Sequence, residues 1–144
     1  MPNWVCVDAS FVVRLLESDS PESSPIKAWM EWHEAGRRVV SPGLLYHEVT
    51  NALHRYVVMG ELSREEAVEA LDAALGLEIE LHQDPDLHRR SLTLAAEIML
   101  AATYDAHYLA LAERLGAELW TADARLARTA AGRTQVHLVE EADR

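Results

Sequence analysis

Short apolar runs alternate along the chain with longer stretches in which apolar residues return every three or four positions. The run Trp4-Val5-Cys6-Val7 predicts a buried strand, and Arg37-Arg38-Val39-Val40 predicts a second. Leu77 to His82 alternates apolar with polar residues, as a half-buried or edge strand does. Glu118 to Thr121 and Gln135 to Val139 complete a set of five. Between them the period is helical over Phe11 to Leu16, Pro25 to Glu34, a long stretch after Ser41-Pro42 to about Met59, and Ser63 to near Gly76. It is helical again over about Leu87 to Leu100, Tyr104 to Leu115 and Ala124 to about Ala130. The boundary residues agree: Gly36, Gly60 and Gly116 read as stops, Ser63-Arg64-Glu65-Glu66 as a capping box, and Ser41-Pro42 as an N-cap followed by proline. Parallel strands need crossover connections, usually helical, so the alternation predicts an α/β fold of three layers, α/β/α, around a five-stranded parallel sheet.

Four acids fall at informative places in that pattern. Asp8 follows the first apolar run and Asp123 follows Glu118-Leu119-Trp120-Thr121, so both leave the carboxyl end of a strand, where open α/β sheets place their ligands. On a helical wheel Leu45, Val49, Ala52, Tyr56 and Met59 form one stripe with Glu48 inside it, while His47, Thr50 and His54 face the other way. In the next acid-bearing helix Tyr104, Tyr108, Leu111, Ala112 and Leu115 form the buried side and Asp105 lies at its margin. Asp8 and Asp123 have an alternative role as N-caps, and Asp105 as a complement to the helix dipole. Glu48 has no such alternative, and a core-facing glutamate requires a partner.

If the four converge, two unit charges about 4 Å apart repel by roughly 4 kcal/mol at an effective dielectric of about 20. Protonation relieves such a cluster, and so does a hard cation; oxygen-only ligands favour Mg²⁺ or Mn²⁺ over Zn²⁺. None of the seven histidines has ligand spacing, and His47 and His107 turn away from the neighbouring acids.

Composition narrows the partners. The 144 residues fit a single domain, 1–144, and 49% hydrophobic content suits a packed core. A net charge of -11 argues against broad attraction to nucleic acid, so a nucleic-acid role needs local compensation from bound metal, from Arg37 with Arg38, or from Arg125 with Arg128. The excess acid equally suits a basic protein partner. Cys6, the only cysteine, falls in an apolar run and reads as a core residue. No apolar run is long enough for a bilayer and the start lacks a signal-peptide layout, so a soluble, intracellular chain is expected. Gly-x-Gly and Gly-Lys-Ser/Thr phosphate loops do not occur.

The segments Val7-Asp8-Ala9-Ser10, Tyr46-His47-Glu48-Val49-Thr50-Asn51-Ala52-Leu53, Tyr104-Asp105-Ala106-His107-Tyr108-Leu109-Ala110-Leu111-Ala112 and Thr121-Ala122-Asp123, in that order, resemble the PIN domain, and most of all its VapC-type toxins. Each motif is short; four in register over essentially the whole chain are specific. The resemblance implies a sheet of order 3-2-1-4-5 and a cytoplasmic ribonuclease dependent on Mg²⁺ or Mn²⁺, with Asp8, Glu48, Asp105 and Asp123 as its catalytic and metal-binding acids. One or two bound metals would lower the pKa of a water, align the scissile phosphate and neutralise the leaving oxygen. It also implies that Ser10 and Thr121 are hydroxyl-bearing neighbours of the site and Arg14 a basic residue near its mouth, with capping and surface charge as their alternative roles. The implied partners are an RNA substrate and a small antitoxin protein, with a homodimer allowed and no membrane. Two features depart from the family pattern: Ala101-Ala102-Thr103, where relatives carry a more polar turn, and the acidic balance.

Two other classes compete with the nuclease. A catalytically silent module of the same fold would act only through a basic protein partner, and the presence of all four acids argues against it. A phosphotransfer domain of flavodoxin-like topology needs a second acid near Asp8 and a suitable lysine, whereas Asp8 is followed by Ala9-Ser10 and the only lysine, Lys27, lies on an early helix.

Overall fold

The computed structural model describes residues 3–139. Strands β1 (Trp4–Val7), β2 (Arg38–Pro42), β3 (Glu80–His82), β4 (Glu118–Thr121) and β5 (Val136–Leu138) pair in parallel in the order β3-β2-β1-β4-β5. They are connected through helices α1 (Ala9–Glu17), α2 (Ser24–Glu34), α3 (Leu45–Val58), α4 (Arg64–Leu75), α5 (Pro85–Glu97), α6 (Tyr104–Leu115) and α7 (Ala124–Ala130).

The two-residue period of the strands builds the layers. Val5, Val7 and Val39 join a core with Phe11, Trp32 and Leu45 from α1 to α3. Cys6, Val40 and Leu119 point the other way, into a core with Leu87, Leu109 and Leu126 from α5 to α7. With both faces covered, the central strands are buried and read as continuous apolar runs. In the first core Phe11 packs on Trp32 with ring centroids 5.3 Å apart, and Trp32 on Trp120 at 5.2 Å. No helix among the described residues is long and apolar enough to cross a membrane.

The structure departs from the sequence expectation at several boundaries. Ser41 and Pro42 do not start α3: they extend β2, paired with Leu81 and His82, and the Ser41 hydroxyl donates to the Val7 carbonyl at 2.8 Å. Sheet pairing overrides the local preference for an N-cap, and α3 begins at Leu45 without a side-chain cap. Strand β3 is shorter than the alternating run, because Leu77 and Ile79 pack on the first core before the pairing begins. Helix α5 starts earlier than the apolar period, at Pro85, because the Asp84 side chain caps it by accepting from Leu87 N at 3.1 Å. It also ends earlier, at Glu97, followed by Met99 at φ 55°. Two stripe residues are exposed: Met59 at 66%, where α3 outruns the core, and Tyr104 at 62%, where the first turn of α6 borders a groove.

Candidate active site

The local sequence explains why Asp8 is fixed. As the chain leaves β1 it turns directly into α1, and Asp8 is the N-cap, its Oδ1 accepting the Phe11 amide at 2.9 Å. The Ser10 hydroxyl donates to the same oxygen at 2.8 Å, and the Thr121 hydroxyl, from the end of β4, donates to Oδ2 at 2.7 Å. Ser10 Oγ in turn accepts the Ala122 amide at 2.8 Å and Thr121 Oγ1 accepts the Asp123 amide at 2.9 Å. Two hydroxyls thus tie the β1–α1 turn to the β4–α7 turn, with Asp8 in the middle. Burial raises the Asp8 carboxyl to about 6 against these three donors, and the charge of Asp123 adds to the rise.

Glu48 comes from the first turn of α3 and is half-buried, as the apolar stripe requires. Its partner is Tyr108 of α6, whose hydroxyl donates to Oε1 at 2.5 Å. Burial raises the Glu48 pKa, the Tyr108 hydrogen bond opposes the rise, and the charges of Asp105 and Asp123 add to it. Burial and the neighbouring Glu48 carboxylate push the phenol of Tyr108 well above its ordinary value, so it remains a donor.

Asp105 lies in the first turn of α6, and Asp123 caps α7 through Oδ1, which accepts the Arg125 amide at 2.9 Å and the Leu126 amide at 3.3 Å. The Arg125 guanidinium bridges the two acids, Nη1 to Asp105 at 2.5 Å and Nη2 to Asp123 at 3.3 Å. Its pKa rises, through the hydrogen bond to Asp105 first and then the charges of both acids.

All four predicted acids therefore belong to one electrostatic cluster beyond the carboxyl ends of β1 and β4. Among the described residues, no three His, Cys, Asp or Glu side chains stand together closely enough to hold a metal ion; Arg125 neutralises Asp105 and Asp123 in this arrangement. The donor set itself fits a hard divalent cation, being oxygen only, with two acids that resist ionising without a positive charge nearby. The Ser10 and Thr121 hydroxyls both engage Asp8. Arg14 lines a groove that also contains Ser10 and Glu48, while Arg37 and Arg38 pair with Glu118 and Glu80 instead. Among the described residues His107 bonds to no acid: its Nδ1 meets the Thr103 carbonyl at 2.7 Å and its Nε2 meets His88 at 3.0 Å.

Sequence reasoning placed Tyr108 only in the core. The available signal was that a buried tyrosine seeks a hydrogen-bond partner just as a core-facing glutamate does. Tyr108→Phe should lower stability by about 1–3 kcal/mol near pH 8, where Glu48 is charged, because a hydrogen bond to a charged group disappears. The loss should shrink toward pH 4 as Glu48 protonates. Urea unfolding at both pH values checks it; an equal loss at each would assign the effect to packing.

A PIN domain family model matches residues 5–132 of the chain. The crystal structure of PAE2754 from Pyrobaculum aerophilum superposes with a TM-score of 0.67 at 26% identity, covering 92% of this chain and 81% of the other. That of VapBC2 from Rickettsia felis, bound to a DNA fragment from their promoter, superposes with a TM-score of 0.67 at 11% identity, covering 95% of this chain and 99% of the other. No curated protein sequence matches the chain. With the sheet order and a family model spanning most of the sequence in agreement, the chain belongs to the PIN domain family.

Proposed function

We propose that this protein is a divalent-metal-dependent ribonuclease that acts as the toxin of a toxin–antitoxin pair. One observation supports the reading: Asp8, Glu48, Asp105 and Asp123, from four separate segments, lie near enough for burial first, and their mutual repulsion after it, to raise the pKa values of Asp8 and Glu48. Mg²⁺ or Mn²⁺ held by these four acids would supply positive charge for the scissile phosphate and an acidified water.

The chain's own residues divide the remaining work. Asp8, held by three donors, is a rigid anchor, and Ser10 and Thr121 fix its orientation. Glu48, half-buried with a raised pKa, takes a proton from the attacking water, and Tyr108 holds its carboxylate in place. Thiolate chemistry has no role, since Cys6 is fully buried and burial pushes its thiol up. The PIN family model and the fold shared with VapBC2 support the toxin assignment, and the net charge of -11 suits a basic antitoxin.

Arg125, with a side chain 63% exposed, holds the positive charge between Asp105 and Asp123 and must turn aside for a cation. Arg125→Gln should therefore bind Mn²⁺ roughly two- to thirtyfold more tightly, the effect of removing two exposed ion pairs of about 0.2–1 kcal/mol each. Calorimetric titration reads it. Unchanged or weaker binding would mean that the arginine does not compete with metal.

The activity test incubates the purified chain with single-stranded RNA pools and Mn²⁺, with and without chelator, beside Asp105→Asn prepared identically. Chelation and the substitution should each abolish cleavage. Equal cleavage by both proteins marks a contaminating nuclease and removes the assignment; no cleavage of any pool by the wild type favours a silent binding module. Co-purification from the native operon should yield a small basic partner.

A further inference from the structure

A groove of about 720 Å³ runs between α1 and α3 away from the acid cluster. Ser10 and Glu48 line it, and so do Arg14, one turn further along α1, and Arg55, two turns further along α3. By helix rise, Arg14 lies about 6 Å beyond Ser10 and Arg55 about 10 Å beyond Glu48 along their own helices. Both arginines are under-matched. Among the described residues no carboxylate lies within 4.0 Å of Arg55. Arg14 reaches Glu17 only at 3.4 Å through Nη1, and its Nε is buried with no hydrogen-bond partner among the described residues. Unpartnered buried donors are costly, and guanidinium forks match phosphate oxygens. In a chain of net charge -11, two such groups in one groove beside an acid cluster point to an anion that enters with the substrate.

We propose that this groove carries the single-stranded RNA strand that flanks the cleavage point, with Arg14 and Arg55 gripping its backbone phosphates and Tyr104 stacking an unpaired base. The position of the cleavage point rests on the ribonuclease reading above. Tyr104 decides between a nucleic acid and an acidic peptide: it is 62% exposed, lines the groove and precedes Asp105, offering a flat face to a base. The same groove explains how so acidic a protein meets a polyanion, since a short basic track replaces a basic surface.

The test measures binding of a short fluorescent single-stranded RNA by anisotropy in chelator, which prevents cleavage, over a range of salt. Arg55→Gln and Arg14→Gln should each weaken binding about tenfold and lower the slope of log affinity against log salt by about 0.7. Arg64→Gln is the control: Arg64 also lacks a carboxylate partner among the described residues but lines a separate groove between α3 and α4, and its loss should leave binding unchanged. Arg55 is exposed, so its variant should keep the wild-type melting temperature even if Arg14→Gln does not. Wild-type binding by the Arg55 variant, or an equal loss in Arg64→Gln, overturns the groove. Displacement of the RNA by polyglutamate at matched charge assigns the groove to an acidic protein segment and overturns the RNA assignment. Hydrolysis of bis(p-nitrophenyl) phosphate in Mn²⁺, a diester too small to reach Arg55, separates the two readings. If the arginine-dependent RNA binding holds but no Asp105-dependent hydrolysis is found, the groove stands and the nuclease reading falls.

Discussion

Asp8→Asn is expected to cut RNA cleavage by about a thousandfold or more and, in metal-free buffer near neutral pH, to make the protein more stable. The rate loss follows from removing a charged, fixed ligand from the site where charge must be neutralised. The stability gain follows from burial, which leaves Asp8 only 5% exposed and raises its carboxyl to about 6 from an ordinary 3.8. A folded-state pKa above the unfolded value means that the native chain binds this proton more tightly. Its contribution is fully present below about pH 4 and is lost as pH rises through about 6, which amounts to roughly 2–3 kcal/mol at neutral pH. Asparagine never ionises and avoids that loss. The Thr121 hydroxyl, which now donates to Asp8 Oδ2, can accept from the new amide and donate to Ser10 Oγ at 3.1 Å. Rearranging that contact trims the gain to about 1–2 kcal/mol. Urea unfolding in chelator should show the advantage near pH 8 and none near pH 4. Retained cleavage, or a variant less stable than wild type near pH 8, would refute the role given to Asp8.

Phe11→Ala should destabilise the fold by about 3–5 kcal/mol, the range for truncating a buried phenylalanine. Phe11 is fully buried against Trp32 and Trp120, with ring centroids 5.3 and 6.3 Å away. Neighbours can fill the space only partly: Trp120 Nε1 is tied to Glu118 at 3.2 Å and its ring stacks on His137 at 4.3 Å. The backbone amide that supports Asp8 survives the change, so cleavage per folded molecule should fall far less than in Asp8→Asn. A loss under about 1 kcal/mol in urea unfolding would mean that the core collapses around the gap.

The parts of the fold that could be read from the sequence were those whose signals are local. Val5 to Val7 and Leu119 announce buried strands because both faces are covered, and Ser63 with Glu66 announces α4 because both halves of the capping box form. Ser41-Pro42 misleads because its local chemistry favours a helix start while its partners, Leu81 and His82, lie forty positions away. The acid site divides in the same way. Glu48 was legible as a polar residue in an apolar stripe, and Asp8 and Asp123 as acids at strand ends. That Tyr108 is the partner of Glu48, 60 positions distant, and that Arg125 bridges α6 to α7, depends on how helices meet, which no local pattern encodes. Ser10 and Thr121 look like cap residues until the sheet places β4 beside β1.

The clasp between Thr121 and Asp8 joins residues 113 positions apart, and β1 lies between β2 and β4. Chains fold largely from the N-terminus as they are synthesised, and pairings this distant in sequence form late. A ribosome-bound chain thus exposes Asp8 and Glu48 long before it has a β4 to fix the first or the α6 and α7 acids to complete the set. An enzyme that attacks RNA would be harmless to the messenger and ribosome producing it until nearly all of the domain has emerged. A protease cut between α4 and α6 that lets the two pieces part would likewise leave neither fragment with all four acids.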